Sequence, residues 1–420
     1  MNPWRGLKNI PRNVWLVAFA TLINRSGTMV IPFLALFLIK GRGINAADAG
    51  LVLTFYGAGS LITAPFVGKL SDKLGALRVM KISLTLTGVM LFFYPHITNY
   101  FLILGYTLIW SVIGEAFRPA NLSFISSETK PEKRKTAFAL NRLAINLGMS
   151  IGPVIGGFLS QINFHLLFYV DGITSLLAGG FLMIAKFGKT EDRKQNSEVR
   201  SNEIDVELNK DNHPSFSIEH QVSSLKHQES IFHNKRFLLF MLSLIPANIV
   251  FFQHIGAMPI FIVRDLGLRE SVYGMLMAVN TVLIIFIEVP LNNAMSRWSD
   301  RKAAALGALL CGIGFGAMAF AHEIIFLIVT IVIWTFGEMI YFPASASYIS
   351  LVSPEERRGE YMGYFQMTFS FALMTGPWIG TIVLENFGSV ILWSAAFLLA
   401  ALSAVMFLFF KEKRKEAHIN

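Results

Sequence analysis

The chain contains one arrangement twice. Gly114-Glu115-Ala116-Phe117-Arg118-Pro119-Ala120, with Pro131-Glu132-Lys133-Arg134-Lys135 after it, returns as Gly337-Glu338-Met339-Ile340-Tyr341-Phe342-Pro343-Ala344 with Pro354-Glu355-Glu356-Arg357-Arg358. Gly152-Pro153-Val154-Ile155-Gly156 returns as Gly376-Pro377-Trp378-Ile379-Gly380, and Pro65 returns as Pro290. These echoes stand 223 to 225 residues apart in a chain of 420. Two copies of one unit therefore fill the chain. The expected division is 1–187 for the first unit, 236–420 for the second, and a polar linker over 188–235.

The units are too apolar for soluble domains, since 54% of residues are hydrophobic and 15% charged. Apolar runs of about 20 residues recur without the period-2 alternation of barrel strands, so they read as spanning helices. Twelve such runs lie between residues 13 and 411, six per unit. The fold class expected is an all-α membrane protein of two six-helix bundles related by a pseudo-twofold axis. Duplicated bundles with a site between them are the architecture of secondary transporters. Met1-Asn2-Pro3-Trp4-Arg5 carries no cleavage pattern of a signal peptide, so the first helix is expected to be retained.

A net charge of +9 raises the question of nucleic acid, and its distribution answers it. With the N-terminus placed in the cytoplasm, cytoplasmic segments hold 29 of the 36 Lys and Arg and external loops hold four: Lys40, Arg42, Arg264 and Arg269. That asymmetry follows the positive-inside rule, with both termini cytoplasmic and membrane lipid as the partner of the basic surface. No nucleic-acid partner and no metal are expected. The linker histidines His213, His220, His227 and His233 read as solvated loop residues more readily than as metal ligands. The single cysteine, Cys311, reads as a packing residue.

Gly68-Lys69-Leu70-Ser71-Asp72-Lys73-Leu74-Gly75 lies between the second and third helices and resembles the signature of the major facilitator superfamily. The glycines permit a tight turn, and Asp72 can accept from a helix N-terminus or an arginine. The resemblance implies a gating loop made by Gly68, Asp72, Lys73, Gly75 and Arg78 that stabilises the outward-facing state. Gly148-Met149-Ser150-Ile151-Gly152-Pro153-Val154-Ile155-Gly156-Gly157 resembles the fifth-helix motif of the family's drug/proton antiporters. There Gly148, Gly152, Pro153, Gly156 and Gly157 are expected to form a close helix-packing seam. Glu288-Val289-Pro290 and Arg358-Gly359-Glu360-Tyr361-Met362-Gly363 fit the same branch. Ala76 and Leu77 replace basic residues usual in the signature, and the arginine expected in the fourth helix is absent, with Trp110 near that place. A weaker likeness to proton-coupled peptide transporters rests on Arg118-Pro119-Ala120-Asn121 and Asn146-Leu147-Gly148. Their paired glutamates are missing from Thr21-Leu22-Ile23-Asn24-Arg25.

Charges inside the spans mark the expected site. An ionised group at the bilayer centre costs roughly 2.5–3.5 kcal/mol on insertion scales, so each should face a cavity and be paired. The cations are Arg25, Arg118 and Arg142; the acids are Glu115, Asp171, Glu288 and Glu338. Arginine holds its proton, so it binds anions or holds a carboxylate, and the proton carrier must be acidic. Glu115 has Arg118 on the same helix face. Glu338, its counterpart in the repeat, has only Phe336, Tyr341 and Phe342 around it in sequence. The expected proton-coupling residues are therefore Glu338 and Glu288 first and Glu115 after them. Arg25, Asn24, Arg118, Arg142, Asn146, Gln253 and Tyr341 are expected at the central cavity. A static buried network of Glu115, Arg118 and Arg142 stands as the alternative reading.

No nucleotide loop, metal-ligand spacing or nucleophile motif is present, so an enzyme is not expected. The function expected is secondary transport by alternating access in an inner or plasma membrane, by a monomer needing no cofactor beyond a proton gradient. Export of small amphipathic molecules is the first reading. Uptake of an anionic nutrient, siderophore or peptide-like compound is the second.

Overall fold

The structure, a computed structural model, describes residues 10–129, 133–188, 234–295, 297–354 and 357–409. The linker histidines and most of the expected linker lie outside these residues. The helices are α1 (Arg12–Gly41), α2 (Ala46–Leu74), α3 (Ala76–Phe93), α4 (Tyr100–Glu128), α5 (Arg134–Ile162), α6 (His165–Ile184), α7 (Lys235–Asp265), α8 (Glu270–Ala294), α9 (Asp300–Ala317) and α10 (Ile324–Val352). A last helical run covers Arg358–Phe409. At 1.5 Å per residue that run would be about 78 Å long, over twice a hydrocarbon core. Gly388 divides it, at φ 81° and ψ 173°, a conformation that side chains resist. The chain turns there from α11 (358–387) into α12 (389–409). Eleven runs are long and apolar enough to cross a membrane, and the last holds both α11 and α12. The twelve helices of the sequence are thus all present, and the all-α membrane fold is observed. Helices are the form such sequences must take, because lipid offers backbone groups no other partner.

Helices α1, α4, α7 and α10 carry defects with identifiable causes. In α4 the ladder slips at Ala116, and Pro119, without an N–H, leaves the Glu115 carbonyl without its usual donor. Pro343 does the same to Met339 in α10, and there Asn292 of α8 donates to the orphaned carbonyl at 3.1 Å. Helix α1 breaks between Gly27 and Val30, with Thr28 at ψ 85°. Helix α7 breaks through Phe252–His254 and restarts at Ala257, after Gly256 at φ −98°, ψ −89°. Pro32 and Pro259 each fall in the first turn of the restarted segment, where no N–H is needed.

Both termini of the described chain and the α2–α3, α4–α5, α8–α9 and α10–α11 connections lie at one end, termed the terminal end; the α1–α2, α3–α4, α5–α6, α7–α8, α9–α10 and α11–α12 connections lie at the other, the distal end. At the distal end one apolar cluster joins the halves. It includes Phe33, Leu34 and Phe37 of α1, Leu53 of α2, Ile260 and Phe261 of α7, Tyr273 of α8 and Trp334 of α10. Toward the terminal end three further clusters form, each within one half. Burial of apolar surface is non-directional and follows contact, so among the described residues the halves share their apolar core distally, and each cluster toward the terminal end stays within one half.

Two seams cross between the halves. Helix α2 meets α11, where a Cβ at Gly57 would stand 2.3 Å from the Met374 backbone and where Ser60 and Ser370 bond at 3.2 Å. Helix α5 meets α8, where a Cβ at Gly274 would stand 2.2 Å from the Pro153 carbonyl oxygen. Gly274→Val is expected to cost about 1–3 kcal/mol by overpacking, since the obstacle is backbone. Thermal melting in detergent checks it, and an unchanged melting temperature would show that the seam yields freely.

Candidate functional site

The small residues of α5 do two jobs. Cβ atoms at Gly148, Gly152 and Gly156 would meet Arg25, the Thr28 carbonyl, and Met29 with Phe33, all on α1 around its break. A Cβ at Gly157 would meet Ser271 of α8 instead. The motif thus seats the broken part of α1 against α5, and α5 against the other half. Pro153 is buried in the same stretch.

On the first half, Arg25 stands in the last turn before the break. No carboxylate lies within 4 Å of it among the described residues, and its Nε is buried without a hydrogen-bond partner. Glu115 accepts a hydrogen bond from the Tyr56 hydroxyl at 2.8 Å and lies 3.6 Å from Arg118. Arg118 keeps 53% of its side chain exposed although it sits within a span. Water rather than hydrocarbon must reach such a group. Asn24 turns from this cluster into the packing of α6, donating to Ser175 at 3.1 Å. Asn146 is half-buried on α5, one turn from Arg142.

Arg142 does not join that cluster. It reaches across to Glu288 of α8 and forms an ion pair between the halves. Glu288 is buried, and Arg142 is half exposed. One of the three acids expected to carry a proton is therefore matched to a cation from the opposite half. A second pair across the halves, Lys40 to Glu270 at 2.6 Å, lies at the distal end.

On the second half, Glu338 accepts from the Asn280 amide at 2.8 Å, and Asn280 also donates to Thr335 at 3.0 Å. No cation lies within 4 Å of Glu338 among the described residues. Aromatic rings stand one turn away: Phe251 packs edge-on to Phe342 with centroids at 4.9 Å, and His254 stacks on Trp334 at 6.2 Å. His254 is itself tied to the Phe251 carbonyl through Nδ1 at 2.7 Å. Gln253 and Tyr341 turn inside the packing, where the Gln253 Oε1 is buried without a hydrogen-bond partner. The Gln253 amide donates to the Ile249 and Gly376 carbonyls, and the Tyr341 hydroxyl bonds the Leu244 carbonyl and Asn248. Both are buried, and the reason is the same: a polar group inside a bundle takes an acceptor from the helices packed against it.

The loop expected over 68–78 is helical except at Gly75: 68–74 complete α2 and Arg78 lies in the first turn of α3, because Gly75 at φ 85° turns the chain in a single residue that needs no side chain. Lys73 and Arg78 are exposed. The side chain of Asp72 and the surroundings of Gly68 lie outside the described part. Among the described residues there is no cluster of three or more His, Cys, Asp or Glu suited to a metal ion.

Sequence reasoning missed the breaks in α1 and α7 and the hydrogen bonds that the Met29 and Val30 amides at the first break donate to Asp171 of α6. Pro32 and Pro259, at matching places in the two halves, were the available signal. It also missed the direction in which Arg142 points, for which a single sequence holds no signal.

The family model for the Major Facilitator Superfamily matches residues 14–261 and again 249–420. The uncharacterized MFS-type transporter YqjV of Bacillus subtilis (strain 168) is 23% identical over 397 residues, 93% of this chain and 90% of its own. A Na(+), Li(+), K(+)/H(+) antiporter of Planococcus maritimus is 23% identical over 377 residues, 84% and 85% of the two chains. The quinolone resistance protein NorA of Staphylococcus aureus is 29% identical over 150 residues, 36% of this chain and 38% of its own. Among solved structures, a peptide transporter POT in complex with sulfate superposes with a TM-score of 0.75 at 15% identity, covering 97% and 95% of the two chains. A D-xylose-proton symporter does so at 0.74 and 14% identity, covering 96% and 98%. At such identities these two likenesses speak for the fold alone.

Proposed function

The chain belongs to the major facilitator superfamily, and from that membership we propose that it exports small amphipathic molecules in exchange for protons. As a member it is a multi-pass membrane transporter and not an enzyme; substrate, direction and coupling are the proposal. The two halves, 1–187 and 236–420, rock about the space between them. With both termini cytoplasmic, as the positive-inside count favours, an arrangement whose shared apolar cluster lies distally reads as the inward-facing one.

The observation that carries the reading is the environment of Glu338. It is a carboxylate inside a span, held by one neutral amide and bordered by aromatic rings, with no cation within 4 Å among the described residues. Such a group can give up its proton to water and regain it without breaking an ion pair. The rings beside it supply the apolar contact an amphipathic guest needs. A quinolone-resistance relative and a cation/proton antiporter relative favour export with proton entry. Glu115, already bonded to Tyr56 and near Arg118, serves as a gating pair.

Arg25 favours a second reading. A cation with a partnerless buried Nε and no carboxylate within 4 Å among the described residues suits the anionic group of a substrate taken up with protons. Proteoliposomes of fixed orientation separate the two. Lipophilic cations, organic anions and short peptides are presented under an imposed pH gradient, and proton movement is followed. Substrate moving opposite to protons is the expected result. An anion moving with protons would replace the first reading by the second.

A further inference from the structure

The break in α1 frees backbone amides in the middle of the molecule. Thr28 donates to the Arg25 carbonyl at 3.2 Å, closing off the first segment. The next two amides, of Met29 and Val30, both donate to one carboxylate oxygen of Asp171 on α6, each at 3.3 Å. Asp171 is buried, and these two amides are its hydrogen-bond partners among the described residues. The helical run it caps, Val30–Leu36 continued through Phe37–Gly41, is the part of α1 lying in the cluster shared by both halves. Phe33 packs edge-on to Tyr273 of α8 at 5.2 Å, and Lys40 reaches Glu270. The segment before the break packs within its own half. One end of α1 thus belongs to a bundle and the other to the seal between bundles. Asp171 stands at the joint.

We propose that Asp171 is the positioning residue that holds the distal half of α1 in the closed arrangement, through the amides of Met29 and Val30. Three physical facts support it. A carboxylate at the start of a helical run is favoured by the run's dipole. Hydrogen bonds to an ionised acceptor are stronger than neutral ones, and water is excluded here. Unbonded amides at this depth are costly, so without the carboxylate the break has no reason to stay where it is. The second half carries no equivalent. At the α7 break the Tyr273 hydroxyl donates to the His254 carbonyl at 2.8 Å, and among the described residues no carboxylate is bonded to the amides of Ala257 or Met258. The distal seal is therefore clamped from the first half. Arg25 is the charged group of α1 that acts electrostatically on Asp171, and Tyr56, Glu115 and Arg118 act in turn on Arg25. Asp171 acts on the gate through the backbone of α1 and needs no contact with substrate.

The proposal rests on the alternating-access reading, and the test separates the two. Thr98 and His322 are exposed on distal connections of the two halves. In a Cys311→Ala background, Thr98→Cys and His322→Cys carry spin labels, and their distance distribution is measured in nanodiscs. The wild-type side chain at 171 should give a major short population and a minor long one. Asp171→Ala should raise the long-to-short ratio about tenfold, the loss expected for bonds to a charged acceptor. Asp171→Asn, which keeps an acceptor oxygen without the charge, should fall between them. If Asp171→Ala fails to fold, Val30→Pro deletes one of the two donors at a first helical position that tolerates proline, and it should move the ratio the same way. Two populations in the parent protein left unchanged by Asp171→Ala, or by Val30→Pro in its place, would overturn the clamp alone. A single distance in the parent at every pH tested would overturn alternating access, and the clamp with it.

Discussion

Glu338→Gln should abolish gradient-driven transport and leave substrate exchange intact. The substitution keeps the shape of the side chain and an oxygen for the Asn280 amide, now 2.8 Å away, so the local packing has no reason to change. What it removes is the proton. Gradient-driven flux should drop by about two orders of magnitude, the usual contribution of a positioned proton-transfer group. Exchange of labelled for unlabelled substrate, which needs no net proton movement, should persist near the parent rate. Both are read in proteoliposomes with an imposed pH gradient. Full gradient-driven flux in the variant would remove Glu338 from the coupling site and leave Glu288 and Glu115 as the acids to test.

Breaking the pair between halves should have the second largest effect. Arg142→Met leaves Glu288 buried and without its counter-charge. Removing one partner of a fully buried pair costs about 3–5 kcal/mol. Arg142 keeps 53% of its side chain exposed, and water screens what remains, so about 1–2 kcal/mol is the better expectation. For halves of this size that lowers the melting temperature by about 3–6 °C. Adding Glu288→Gln to Arg142→Met should recover much of the loss, because the orphaned charge goes with it. Thermal melting of the parent, both single variants and the double closes the cycle. A coupling below about 0.3 kcal/mol would mean that the two residues act independently.

The particular residues show why some of this was legible in sequence and some was not. The spans were legible because lipid leaves a chain one local solution: an apolar run of the right length must satisfy its own backbone, and periodicity reports it. The close approach of α5 was legible because Gly148, Gly152 and Gly156 fall on one face, and only small residues admit a neighbour's backbone. The pairing of Glu115 with Arg118 was legible because three residues along a helix is a contact. By contrast, Arg142 stood equally near several acids in prospect, and its choice of Glu288 depends on how two bundles are docked. Asn24, Gln253 and Tyr341 looked like cavity residues, since polar groups in spans are rare, yet each turned toward a partner in its own half. Asp171 was visible as a buried charge, but its partners are backbone amides, which no side-chain pattern reveals.

By itself the sequence determined the duplication, twelve helices, the charge asymmetry about the membrane and the short list of charges that must avoid lipid. These follow from local rules: length, hydropathy, and spacing along one helix. Only the tertiary structure decided which carboxylate is paired across the halves and which stands without a cation. It also decided that α1 and α7 break, and that the apolar cluster joining the halves lies at the distal end. Those outcomes depend on side chains far apart in sequence competing for the same few polar partners in a medium that supplies no others.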